Sequence, residues 1–221
     1  MSGSWGSVLT ELIPLALVIT LSPLSIIPAV LMLQTPQPRP TALAFMAGWL
    51  LGLGVLTAVF VAVSGTIGGF EKPPSWASWL RIVIGAALIV FGVVRFVRRK
   101  SSGHQPEWLR NLTTLSPPKA AVTAAALTVV NLKVLFLCVA AGLVIGSAGL
   151  GTAVWAAVVY FAAIAGCSVA LPILAYAVSG DRLDDPLARL KDWMERNHAT
   201  LMAAILVVIG LLVFYKGVHG L

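Results

Sequence analysis

Apolar residues run in six long stretches, about 11–33, 41–64, 79–97, 119–145, 151–177 and 199–217, with polar or basic segments between them. Each approaches or exceeds the roughly 20 residues an α-helix needs to cross about 30 Å of hydrocarbon. None alternates with the two-residue period of a barrel strand, so the pattern predicts helices. It describes an all-α integral membrane protein with six transmembrane helices. Short connections make the first and second spans, and the fourth and fifth, antiparallel hairpins. A different pattern falls at about 184–197. There Asp185 and Pro186 open a helix, and Leu183, Leu187, Leu190 and Met194 recur at helical spacing opposite Arg189, Lys191, Asp192 and Glu195. That element is an amphipathic surface helix, suited to the bilayer interface or to a partner helix.

The two halves resemble each other. Ala87–Val94 in the third span matches Ile205–Leu212 in the sixth, and Trp49 and Tyr160 lie at the same offset in the second and fifth. Thr20-Leu21-Ser22-Pro23 in the first aligns with Val129-Val130-Asn131-Leu132 in the fourth. Three spans per copy is an odd number, so the reading is two inverted 3+3 repeats. The first covers 1–97 and the second 119–221, joined by a basic linker at 98–118. Inverted repeats recur in secondary transporters, with the substrate site at the repeat interface near the midplane.

Composition sharpens this picture. Of 221 residues, 59% are hydrophobic and 10% charged, with a mean hydropathy of +0.96. That little charge does not cover a water-facing surface, which excludes a soluble enzyme and a disordered chain. The net charge of +7 is a topology signal and not a nucleic-acid footprint. One side collects Arg39, Arg95, Arg98, Arg99, Lys100, Arg110, Lys119, Arg182, Arg189, Lys191 and Arg196; the other has only Lys72, Arg81 and Lys216. By the positive-inside rule both termini face away from the cytoplasm. The segment Met1–Ser7 lacks the basic start of a cleavable signal peptide, so the first span is expected to be retained. Cys138 and Cys167 lie in apolar runs and suggest neither a disulfide framework nor a metal site. The expectation is no metal, no cofactor and no enzymatic activity.

The polar chemistry inside the spans is sparse. Lys133 lies about 14 residues after Lys119 and 12 before Ile145, too deep to snorkel to either surface. Left unpaired, it costs at least ~2.5–3.5 kcal/mol. Within the spans only Glu11, at the edge of the first, carries a carboxylate, and His104, His198 and His219 fall in loops or termini. Lys133 therefore reads as an electropositive site for phosphate, sulfate or carboxylate, or else as a neutral lysine held by structural hydrogen bonds. A carboxylate-based proton relay and a divalent-cation carrier are disfavoured. In the first span, Pro23 and Pro28 remove backbone donors and kink or break the helix, with Thr20, Ser22 and Ser25 beside them. They are candidate hinges, and the broken end favours an anion. Candidate substrate contacts are Lys133, Asn131, Ser22, Ser25, Thr20, Trp49 and Tyr160.

These residues carry a resemblance. A first span with Thr20-Leu-Ser-Pro-Leu-Ser-Ile-Ile-Pro28 and a fourth with Asn131-Leu132-Lys133 resembles the lysine-exporter (LysE) transporter superfamily, in which the fourth-span motif is Asn-Pro-Lys. Here Leu132 stands where that motif has proline. The first-span run and the long basic linker look like the GAP or Sap branch, the glycopeptidolipid- and sulfolipid-addressing proteins of actinobacteria. The resemblance implies a bacterial inner-membrane protein, a transporter or flippase-like exporter for an anionic cell-envelope lipid or glycolipid. Small-solute export of the LysE type, or a non-transporting scaffold for a larger lipid pump, are the alternatives. The bilayer, a homodimer and such a pump are the expected partners.

Overall fold

The computed structural model describes residues 5–66, 111–179 and 184–197, together with isolated positions 86, 90, 93, 94, 200, 201, 203, 204, 207 and 211. The third and sixth predicted spans, and the linker up to Arg110, fall largely or wholly outside the described residues. So does the comparison between the third and sixth spans. Among the described residues the secondary structure is helical. Helices α1 (Trp5–Thr20) and α2 (Pro23–Met32) occupy the first apolar stretch, and α3 (Pro38–Thr66) the second. The fourth stretch forms α4 (Pro117–Val130) and α5 (Leu132–Ser147), the fifth α6 (Val154–Ser179), and the amphipathic segment α7 (Asp184–Arg196). Two helices, α3 and α6, are singly long and apolar enough to cross a membrane; counting each bent pair as one span gives four.

The first and fourth stretches are not continuous rods. The α1–α2 pair bends by 57° and the α4–α5 pair by 74°. Pro23 accounts for the first break, since it has no N–H to continue the α1 ladder and restricts the residue before it. The second break forms without a proline. Asn131 adopts φ −75° and ψ 94°, ending one helix and opening the next. Thr128, Val129 and Val130 precede it, three β-branched residues with modest helix propensity. Pro28, by contrast, lies inside α2, which runs through it. Pro40 is tolerated in the first turn of α3, where N–H groups have no intrahelical acceptor.

Helix α3 is the central element, packing on α4, α5 and α6. A Cβ on Gly48 would strike the Ala121 backbone, and one on Gly52 would lie 2.6 Å from Thr128 Oγ1. Further along, Gly142 abuts Thr57 and Phe60, and Gly146 abuts Ser64. The contacts advance together along both chains, so α3 runs parallel to the bent pair. Gly54 has open space around its Cα and takes no part in that seam.

Helix α2 packs on α6, α3 and α7 and meets the 3-10 turn Asn111–Thr114. Leu187 and Met194 of α7 are buried in the common core, while Leu190 and Trp193 are exposed. The surface helix thus divides its apolar residues between the bundle and the outside. It starts at Asp184, so Pro186 is its third residue and not its first. The position is still in the turn whose N–H groups need no helical partner.

Gly48→Ala should cost ~1–3 kcal/mol by overpacking against the Ala121 carbonyl. Gly54→Ala, which meets no neighbour, should be neutral or slightly stabilising. Thermal unfolding of the two purified variants in the same detergent tests the seam; equal melting temperatures would contradict it.

Candidate functional site

Each break leaves backbone groups that a continuous helix would have paired. Ser22 has φ −76° and ψ 119°, close to the values at Asn131, and neither side chain makes a capping hydrogen bond. The residues aligned in the sequence comparison of the first and fourth spans are thus the two residues at which the helices break.

A chain of contacts sets both breaks at one level of the bundle. Thr20 Oγ1 donates to Ala16 O and Ile164 O, each at 2.9 Å, fixing the end of α1 against the middle of α6. Gly166, two residues on, abuts Leu50 and Leu53 at the middle of α3. Gly52 in turn abuts Ala125 and Thr128, in the last two turns of α4 before the second break. The first turns of α2 and α5 therefore both begin near the level of Trp49–Leu53.

Their chemistry differs. In α5 the first closing bond is Leu135 N–H to Asn131 O at 2.9 Å, so the N–H groups of Leu132, Lys133 and Val134 have no acceptor within the helix. Lys133 is half-buried, and its Nζ is fully buried without a hydrogen-bond partner. A cation in the first helical turn also faces the positive end of the helix dipole, which is unfavourable. Free N–H groups, the dipole and a buried ammonium group together form a seat that an anion relieves. At the α2 break, Pro23 supplies no N–H. Those of Ser25 and Ile26 both turn back to Ser22 O, at 3.0 and 3.4 Å. That turn offers few donors, so the anion-favouring end is α5 and not α2.

The other candidates are placed as follows. Ser22 and Ser25 are buried, and neither hydroxyl has a partner. Helix α2, which carries Ser25, packs chiefly on α6, α3 and α7, whereas α5, which carries Lys133, packs on α3, α1, α4 and α6. The two residues therefore share a level but sit on helices with different main neighbours. Thr20 is a structural tie to α6. Trp49 is buried and stacked on Phe45, with ring centroids 6.4 Å apart and planes 13° apart, and its Nε1 has no partner. Tyr160 lies one turn before Ile164, partly buried against the core. The sequence reading missed Ser168, a buried residue whose hydroxyl is also without a partner. Its signal was present: Pro172, four residues later, removes the donor for the Ser168 carbonyl.

The family model of Sap, the sulfolipid-1-addressing protein, matches residues 12–219. The chain belongs to this family. The match spans both breaks and every candidate from Thr20 to Tyr160. No curated protein and no solved structure matches the chain. Membership of the Sap family associates the protein with lipid transport or addressing, and its apolar helices agree with a place in the membrane. Among the described residues of this Sap-family chain, no group of three or more His, Cys, Asp or Glu is placed to hold a metal.

Thr20→Val should remove the α1–α6 tie and lower stability by about 0.6 kcal/mol, the average for hydrogen bonds between membrane helices, and by at most about 1.7 kcal/mol. Thr20→Ser should retain most of it. Thermal unfolding compared with wild type reads both, and an unaffected Thr20→Val would show that the bond carries no net stability.

Proposed function

We propose that this Sap-family protein is an inner-membrane transporter, or flippase-like exporter, that moves an anionic cell-envelope lipid by alternating access. The observation that carries the reading is the buried, unpartnered Lys133 Nζ in the free N-terminal turn of α5. A lipid headgroup bearing phosphate, sulfate or carboxylate supplies the missing counter-charge, while its acyl chains stay in the bilayer. Asn131, the hinge residue of that turn, adds a polar side chain beside the site. The family name supports a lipid cargo.

The remaining elements of the proposal follow from symmetry and charge. Two inverted three-helix repeats, as in the LysE superfamily, supply two related arrangements of similar energy. The coincidence of the Ser22 and Asn131 breaks with the aligned positions supports that relation. Arg39, Lys119, Arg189 and Arg196 mark the cytoplasmic end, with both termini on the other side. The α1–α2 break at Pro23 is the hinge of the first repeat.

Native mass spectrometry of the gently solubilised protein tests the reading. Wild type should retain an anionic lipid, and Lys133→Met should lose at least ~90% of it while staying folded, the loss of about 1.4 kcal/mol of binding or more. Retention of the same lipid by Lys133→Met would remove the site assignment. Failure of wild type to retain any specific lipid would count against lipid transport and favour a small solute.

A further inference from the structure

The α1–α2 break has a chemistry opposite to that of α5, and it points to a ligand of opposite charge. In a continuous helix Ser22 N–H would bond Val18 O; here it bonds Ile19 O at 3.1 Å, and the Val18 carbonyl loses that donor. That carbonyl points along α1 toward the Ser22 turn. Ser22 and Ser25 place two hydroxyls at the break, 1% and 0% exposed, and neither is hydrogen-bonded.

Helix α6 adds a third. Thr20 is tied to Ile164. Helix α2 packs on α6 and on α7, which follows the end of α6, so α2 runs from the level of Ile164 toward the C-terminal end of α6. Ser168 lies one turn beyond Ile164 on the same side of α6, the side that meets the end of α1, and α2 packs on this helix. It is 7% exposed, its hydroxyl has no partner, and Pro172 strips the donor from its carbonyl. Five neutral oxygens therefore gather at one level: the Val18 and Ser168 carbonyls and the Ser22, Ser25 and Ser168 hydroxyls. Each buried polar atom left unpaired is costly.

We propose that these oxygens form a site for a monovalent alkali cation of sodium size, bound alongside the cargo. Freed carbonyls and hydroxyls at an interrupted helix are the ligand set that such ions take in transporters with broken spans. An anion is disfavoured, because Pro23 and the bonds to Ser22 O leave the turn poor in N–H donors. A divalent cation is disfavoured too, since the set holds no carboxylate to offset its dehydration. The α1 carbonyl end opposes the positive end of α2, so the dipoles do not exclude a single positive charge.

The test is thermal unfolding of the purified full chain at equal ionic strength in sodium, potassium or N-methylglucamine chloride. Saturating Na⁺ should raise the melting temperature by about 3 °C or more over N-methylglucamine. Ser168→Ala should abolish most of that rise. Ser168→Cys, which keeps the volume but replaces the hard oxygen, should do the same without leaving a void. Lys133→Met should keep the full rise, which separates this site from the anion seat at α5. No difference among the salts in wild type would overturn the proposal and leave the pocket to water. A full Na⁺ response in either folded Ser168 variant would overturn it equally.

Discussion

A backbone interrupted inside hydrocarbon has no water to complete its hydrogen bonds, and this fold is organised around two such interruptions. At the first break Ser22 and Ser25 are buried in the bundle, whereas at the second Val130 and Leu132 are exposed on either side of a half-buried Asn131. The Thr20 bond to the Ile164 carbonyl shows one solution in detail, a side chain reaching across to a neighbouring helix. The packing of α3 along the bent pair through Gly48, Gly52, Gly142 and Gly146 shows another. Close backbone approach there lets one straight helix brace a partner that turns by 74°. What the breaks leave unpaired is then small in number and concentrated at one height.

On the proposed reading, that concentration lets the two breaks prefer charges of opposite sign. A proline at the start of α2 removes a donor, and the next N–H groups fold back onto Ser22 O. The start of α5 has a leucine in that place and retains its donors. Two turns with similar backbone angles thus differ in their free donors, with a proline at the start of one and a lysine in the first turn of the other. Lys133 adds a full charge to the end that is already electropositive, which makes an anionic ligand the simplest way to offset its burial.

Much of this was legible in the sequence. The first, second, fourth and fifth apolar stretches hold helices as expected, Ser22-Pro23 marked the first break, and Lys133 stood out because so few charges enter the spans. The amphipathic spacing over 184–197 matches α7, Asp184–Arg196, although Pro186 is its third residue and not its first. Other features were hidden for physical reasons. Leu132 gives no sign of a break, because the second interruption arises from β-branched residues and an asparagine whose weak preferences act together. Pro28 read as a second break, yet a proline inside a packed helix is tolerated when neighbours hold its flanks. Ser168 was overlooked because a serine in an apolar run is unremarkable until the proline four residues later is counted against its carbonyl. The burial of Leu187 and Met194 on the bundle, with Leu190 and Trp193 left outside, depends on tertiary contact that periodicity does not contain.

The shared height of the two breaks also changes the electrostatic profile of the membrane. Across a uniform apolar slab, the energy of a charge rises to a single peak at the centre, where it is farthest from both aqueous phases. Here α2 extends from the level of the breaks toward one end of the bundle for 10 residues, and α5 toward the other for 16. Their oriented peptides and polar ends occupy the plane where the peak would be highest. For a headgroup moved as proposed, those polar ends would lower the cost of carrying charge past the middle of the bundle without opening a continuous pore.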